Sequence, residues 1–232
     1  MLASGRARSE SVITVSTWHW GEKYPVDHVR RLAEAVRRNL KQPHRFLCIT
    51  NKALPKHWGV ETTPIPNLEL LREPGCVVRL RMFDEKWQKS VNLEDRLLNL
   101  DLDLVVTGGL DNLVSTEDGF SILQHVNTTN PCPFNGSVMM LRAGYRPDVW
   151  GDYSVTANRN VPWHAFPDDQ GWLHHNLPFA REWTGEDGVY AFRKRGWPSG
   201  DALPAGAVLV AFPGWRDPSK FEKIAWVREN WN

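Results

Sequence analysis

RLLNLDLDLVVTGG, Arg96 to Gly109, sets two carboxylates, Asp101 and Asp103, into a run of leucines and valines. A short run this apolar reads as a buried strand of a largely parallel sheet. An unpaired carboxylate in such surroundings neutralises itself or finds a cation. If the strand runs through both residues, their side chains share one face and converge on a point where a hard divalent ion fits. If it ends at Asp101, both lie at its carboxyl end, where open α/β sheets bind ligands. By composition alone an Asp-x-Asp pair arises about once in a chain of this size. The apolar flanks are what separate this pair from a chance one on a solvated loop, a turn or an N-cap.

The elements around that strand alternate. Ser11–Trp18 is β-branched and reads as a strand, followed by the loop HWGEKYP. Pro25 opens a helix to Leu40, with Val29, Leu32, Ala33, Val36 and Leu40 at helical spacing. Arg45–Thr50 is a second strand, which completes a βαβ unit and implies a parallel sheet. A short strand is expected near Val60–Ile65, then a helical segment from Gly75 to Asp95. After the central strand come Val105–Thr107, a Gly108-Gly109 break and a short helix LDNLV. Gly119–Val126 and Val138–Leu141 read as strands, with a turn at Pro131–Pro133 and the segment Phe134-Asn135-Gly136-Ser137 between them. Asp148–Asn158 is expected as a helix. Pro167-Asp168-Asp169-Gln170 leads into another, capped by Asp168 or Asp169. Gly188–Arg193 and Ala207–Phe212 read as late strands, and Pro218 to the C-terminus as an amphipathic helix.

The 232 residues suit one α/β domain, 11–232, behind a flexible leader at 1–10. A net charge of +1 offers no general attraction for nucleic acid or an anionic membrane. Three cysteines, Cys48, Cys76 and Cys132, lack the spacing of a disulfide framework or zinc site, which fits a reducing, cytoplasmic setting. No apolar run reaches membrane-spanning length. Tryptophan outnumbers tyrosine by 12 to 4. Trp18, Trp20, Trp163, Trp172, Trp197 and Trp215 all neighbour loop signals, where a flat apolar ring suits stacking on a base or sugar as well as packing.

An opening strand ending in a loop, an apolar strand with Asp-x-Asp, an Asn-Gly-Ser strand start and an Asp-Gln pair before a helix occur here in that order. The chain, from about Val12 to Pro218, thereby resembles nucleotide-sugar-dependent glycosyltransferases of the GT-A fold, in particular the glycogenin-like and galactinol-synthase-like group and its bacterial relatives. The resemblance implies a Rossmann-like, mostly parallel sheet flanked by helices, with a loop-rich C-terminal half. It implies a retaining hexosyltransferase that uses a UDP-linked donor and Mn²⁺ or Mg²⁺, with the acceptor (glycan, lipid-linked or small molecule) left open. On this resemblance Asp101 and Asp103 hold the metal, with Leu102 between them at the donor. Thr17, Trp20, Lys23 and Tyr24 wrap the nucleotide, and Arg31 or Arg79 meets the diphosphate. Asn135 faces donor or acceptor sugar, and Asp169 and Gln170 sit beside the transferred sugar.

One segment departs from the pattern. The family closes its site with a late His-Gly-x-x-Lys-Pro-like segment whose His is a third metal ligand and whose Lys touches phosphate. Here Phe212-Pro213-Gly214-Trp215-Arg216-Asp217-Pro218 takes that place. Proline has no ligating side chain, so His174, His175, Asp217 or water is left to compensate, and Arg216 or Lys220 to meet phosphate. Two rivals follow: a nucleotide- or glycan-binding module that has lost turnover, and a metal-dependent phosphoesterase or nucleotidyltransferase. The nucleotidyltransferase wants a Gly-rich, Arg-containing phosphate loop after the first strand, which HWGEKYP is not.

Overall fold

The computed structural model describes residues 11–126, 131–162 and 167–232; the expected leader and Trp163 lie outside them. The chain opens with β1 (Ile13–His19), α1 (Asp27–Asn39), β2 (His44–Thr50) and β3 (Glu61–Thr63). Then follow α2 (Glu85–Ser90), β4 (Arg96–Leu100), β5 (Leu104–Val106), α3 (Asp111–Val114), β6 (Phe120–Gln124) and β7 (Phe134–Arg142). The second half holds α4 (Asp148–Gly151), α5 (Val155–Arg159), α6 (Asp169–Asn176), β8 (Arg181–Trp183), β9 (Val189–Ala191), β10 (Leu209–Ala211) and α7 (Ala225–Asn230).

Seven strands form the main sheet in the order β3-β2-β1-β4-β7-β6-β8, with β7 running against its neighbours and the other pairings parallel. Every residue of β1 is buried, as a central strand covered on both faces requires. Period-two alternation splits β4 between the two cores: Leu98 and Leu100 pack with α1 on one face, Leu97 with the segment before α2 on the other. A smaller sheet, β5-β10-β9, packs at the edge of the first core, and Phe192, Phe212, Trp226 and Trp231 close a third cluster behind it.

The chain leaves β1 toward β2 and β3, then returns to lay β4 on β1's other side. That reversal opens a crevice at the carboxyl ends of β1 and β4, the place where open α/β sheets bind ligands.

Two expected helices are broken by side chains that cap backbone donors. The segment expected as one helix from Gly75 to Asp95 is a 3-10 turn over Val77–Phe83 followed by α2. Asp84 makes the break: extended itself, it accepts the Lys86 and Trp87 amides as the N-cap of α2. Ser154 does the same between α4 and α5, accepting from the Ala157 amide, so Asp148–Asn158 is two short helices. The expected C-terminal helix is a 3-10 turn, Pro218–Phe221, and then α7. In the other direction, β7 is longer than expected and takes in Asn135-Gly136-Ser137. Its pairing with β6 slips between Ile122, opposite Met139, and Leu123, opposite Asn135. The intervening residues bulge, and a bulge frees backbone polar groups from the ladder.

Candidate active site

β4 stops at Leu100, so the second of the two strand readings holds: Asp101 and Asp103 lie in the turn beyond the strand, at the crevice. The turn is fixed at both ends, by the Asp101 amide donating to the Ser137 carbonyl (2.9 Å) and the Phe212 amide donating to the Asp103 carbonyl (2.9 Å).

Two adjoining cavities open there. The first is lined by Trp18, Trp20, Lys23, Tyr24, Cys76, Asp101, Leu102 and Asp103, and its walls are aromatic and apolar. The second adds Arg79, Asn135, Asp168, Asp169, Gln170 and Pro213 and is polar. Lys23, Cys76, Asp101 and Asp103 belong to both. Their volumes, about 150 and 170 Å³, each match a space that holds a single ring when enclosed. A ligand of several rings has to span the junction.

Arg79 organises the polar side. Its guanidinium is buried, donates twice to Asp169 Oδ2 (Nε 3.0 Å, Nη2 2.6 Å), and also donates to Asp101 Oδ1 and the Gly136 carbonyl (3.1 Å). The bulge supplies that carbonyl, and the absence of a side chain supplies the space: a Cβ on Gly136 would sit 2.6 Å from Arg79 Nη2. Gln170 is held at both ends, accepting from the Gly136 amide (3.1 Å) and donating to Asp168 (3.0 Å). Asp168, not Asp169, caps α6, accepting the Gly171 amide at 2.9 Å. Asn135 accepts from the Ser137 amide at 3.1 Å. Of the paired carboxylates, the Asp169 side chain is 3% exposed and that of Asp101 31%, so Asp101 is the more open of the two.

On the aromatic side Tyr24 donates to Asp103 Oδ2 at 2.7 Å, and its carbonyl meets His19 Nε2 at 2.9 Å. Trp18 stacks on Trp87, which turns its packing role into a cavity wall. Burial pushes Asp103 up to about 7; the neighbouring Asp101 charge adds to this, and the Tyr24 hydrogen bond opposes it. Asp101 is also raised, by burial first, against the pull of Arg79. Burial raises Tyr24 as well, with Asp103 adding to it.

Four of the residues singled out for the nucleotide or its phosphates, Thr17, Arg31, Arg216 and Lys220, do not line either cavity, and Lys220 donates to the Trp215 carbonyl at 3.0 Å. Thr17 is buried in β1 and its hydroxyl has no hydrogen-bond partner among the described residues. Arg31 is bound to Asp27 (2.7 Å) and to the Trp231 carbonyl (2.6 Å). Arg216 lies over the Trp215 ring, 5.3 Å from its centre. Nor do the residues considered as a third ligand reach the carboxylates. His174 packs edge-on against Phe134, His175 lies by the Trp172 ring, and Asp217 pairs with His28 at 3.3 Å. Among the described residues no third His, Cys, Asp or Glu joins Asp101 and Asp103 in a ligand set. Trp172 and Trp197 are spent on packing and backbone hydrogen bonds, and Trp215 is 70% exposed. Gly75 and Cys76 also line the site, a place the sequence reading does not give them. Gly75 has φ +74° and leaves no room for a Cβ against Asp168, a requirement no local motif announces.

No family model matches the sequence, and no curated protein does. Solved structures do. The galactosyltransferase LgtC, in complex with donor and acceptor sugar analogues, aligns over 95% of this chain and 97% of its own length, at TM-score 0.63 and 10% identity. The glycosyltransferase GlyE of Streptococcus pneumoniae TIGR4 aligns over 89% of this chain and 56% of its own, at TM-score 0.58 and 14% identity. The chain therefore has the GT-A-type fold, a mostly parallel sheet flanked by helices.

Proposed function

We propose that this chain is a metal-dependent glycosyltransferase that moves a hexose from a UDP-linked donor to an acceptor. One observation carries the reading: an aromatic and a polar cavity meet at the Asp-x-Asp turn, at the topological switch of the sheet. The base would lie against Trp20 and Tyr24, the diphosphate at the junction, and the sugar among Asn135, Asp169 and Gln170. Such a donor spans both cavities with its charged middle at the carboxylates.

The donor set fits Mn²⁺ or Mg²⁺ in one way. Asp101 and Asp103 each accept a hydrogen bond and keep further lone pairs. Two carboxylates are too few for an ion held by protein alone, yet suit one whose other ligands are phosphate oxygens and water. The ion would stabilise charge developing on the departing nucleoside diphosphate. Arg79 fixes the Asp169 carboxylate, and Gly136 with Asp168 fixes the Gln170 amide, so both groups face the sugar without reorganising. We read the transfer as retaining, on the resemblance alone, and place it in the cytoplasm, where nucleotide sugars are available. No helix among the described residues is long and apolar enough to cross a membrane.

A second reading, a module that binds nucleotide without turnover, is favoured by the want of a third protein ligand among the described residues. Incubation with a panel of UDP-hexoses and Mn²⁺ separates the two. Release of UDP, with the hexosyl group passing to water as the acceptor present, supports turnover, and proton NMR reads the anomer of the freed hexose before it mutarotates. Manganese-dependent binding without release supports the module.

A further inference from the structure

We infer, on the functional reading above, that the acceptor is a neutral oligosaccharide. It runs from the mouth of the polar cavity across Trp215 and Phe221 to a third cavity at Arg193 and Trp197.

Space sets the direction. The polar cavity, about 170 Å³, has room for one ring, and on the proposed reading the transferred hexose fills it. The acceptor therefore lies outside, at the mouth. Of the lining residues Lys23, Gly75 and Gly214 are exposed and mark that mouth. Lys23 also lines the aromatic cavity, whereas Pro213 and Gly214 line only the polar one. The mouth on their side leads away from the nucleotide.

Trp215 stands on that side. The large exposed apolar side chains among the described residues are Leu68, Tyr145, Phe179 and Trp215. Of these Trp215 alone adjoins in sequence a residue of either cavity. Its segment is fixed along its length. The Phe212 amide donates to the Asp103 carbonyl at 2.9 Å, Lys220 Nζ donates to the Trp215 carbonyl at 3.0 Å, and Asp217 caps the turn that follows. An anchored backbone thus holds the ring out in solvent instead of folding it onto the core. Arg216 lies over the ring, 5.3 Å from its centre, and supplies donors beside it.

Contacts run on from there. The Phe221 ring centre is 6.4 Å from that of Trp215, and the Arg193 guanidinium is 5.8 Å from the Phe221 centre. Arg193 in turn lines an open cavity of about 430 Å³ with Lys194, Trp197 and Asp201. There the Arg193–Asp201 pair, with side chains 47% and 49% exposed, sets donors and an acceptor next to the Trp197 ring. A neutral sugar asks for that combination: an apolar ring face to stack, and donors and acceptors for its hydroxyls. A phosphate or an anionic lipid surface would be repelled by the Asp201 carboxylate.

Transfer assays with Mn²⁺ and UDP-glucose, UDP-galactose or UDP-N-acetylglucosamine test this. The acceptors are the mono- to tetrasaccharides of the cello and malto series, with glycerol and dodecyl phosphate as polyol and lipid comparisons. In the wild type a tetrasaccharide should accept the hexose with a KM several-fold below that of the monosaccharide. Trp215→Ala should raise the acceptor KM by about 5- to 10-fold, the scale of an aromatic stacking contact, and the donor KM far less. Trp215→Tyr should recover most of the loss. Arg193→Gln should raise the tetrasaccharide KM several-fold and the monosaccharide KM much less. Equal rises in donor and acceptor KM in Trp215→Ala overturn the inference. So do an acceptor KM that ignores chain length, a preference for glycerol or dodecyl phosphate over every saccharide, and donor hydrolysis that no saccharide diverts. If no donor releases UDP in the wild type, the functional reading itself falls and takes the inference with it.

Discussion

The Arg79 guanidinium and the Asp169 carboxylate form a buried ion pair through two nitrogens, at 3.0 and 2.6 Å, between segments 90 residues apart in sequence. The same guanidinium reaches Asp101, so one side chain ties the turn after β4 to the start of α6. Removing one partner of such a pair strands the other's charge, which costs more than the pair itself contributes. Arg79→Met should lower stability by about 3–5 kcal/mol in urea denaturation. Arg79→Lys should recover only part of this, because an ammonium cannot reproduce the planar fork. Full recovery by lysine would show that charge alone matters here.

Asp103 is held for function against stability. It is buried beside a like charge, and a neutral isostere keeps the Tyr24 contact without the repulsion. Asp103→Asn should therefore match or exceed the wild type in thermal midpoint at pH 8, while manganese-dependent nucleotide binding is lost. A variant that is destabilised yet still binds would contradict the assignment.

A pH dependence arises away from the crevice. Burial alone would raise Asp217, but hydrogen bonds from His28 and the Ser219 amide outweigh it and hold the carboxyl down at about 2. A carboxyl depressed in the folded state stabilises above its unfolded pKa, near 4, and loses that contribution as pH falls toward the folded value. The wild type should thus lose roughly 1–2 kcal/mol between about pH 4 and pH 2 that Asp217→Asn does not lose. Midpoints of urea unfolding for the two proteins across that range measure the difference.

Much of the main sheet was legible because burial imposes it locally. Ile13–His19 and Arg96–Leu100 are apolar enough that few other states are open to them, and α1 shows its buried stripe in its spacing. The Asp-x-Asp turn was legible for the same reason, as charge placed where charge is costly. The helix breaks were not, since Asp84 and Ser154 act through their own side chains within segments whose apolar pattern runs on. β8 is three residues long, too short for any alternation to show, and exists through its pairing with β6. Arg79 was singled out for phosphate, whereas the fold commits it to Asp169 and Asp101, a partnership that depends on tertiary distance alone.

Two glycines with nearly the same backbone separate conformational strain from crowding. Gly75 and Gly144 have φ of +74° and +72°, but a Cβ on Gly75 would lie 2.5 Å from the Asp168 Cβ, and one on Gly144 would meet nothing within 4 Å. Gly144→Ala should cost about 1 kcal/mol, the ordinary left-handed penalty. Gly75→Ala should cost at least 1 kcal/mol more, as overpacking does. It should also displace Asp168 and with it Gln170, seen as lost donor turnover. Equal costs at the two sites would mean that the segment before the 3-10 turn yields freely.

The central claim is that Asp101 and Asp103 hold a divalent ion against a nucleoside diphosphate. A crystal soaked with Mn²⁺ and UDP, with data collected at the manganese absorption edge, tests it most directly. The anomalous peak should lie between the two carboxylates and the phosphates, with the base against Trp20 and Tyr24. A peak elsewhere, or nucleotide bound while both carboxylates keep only Arg79 and Tyr24 for company, would contradict it.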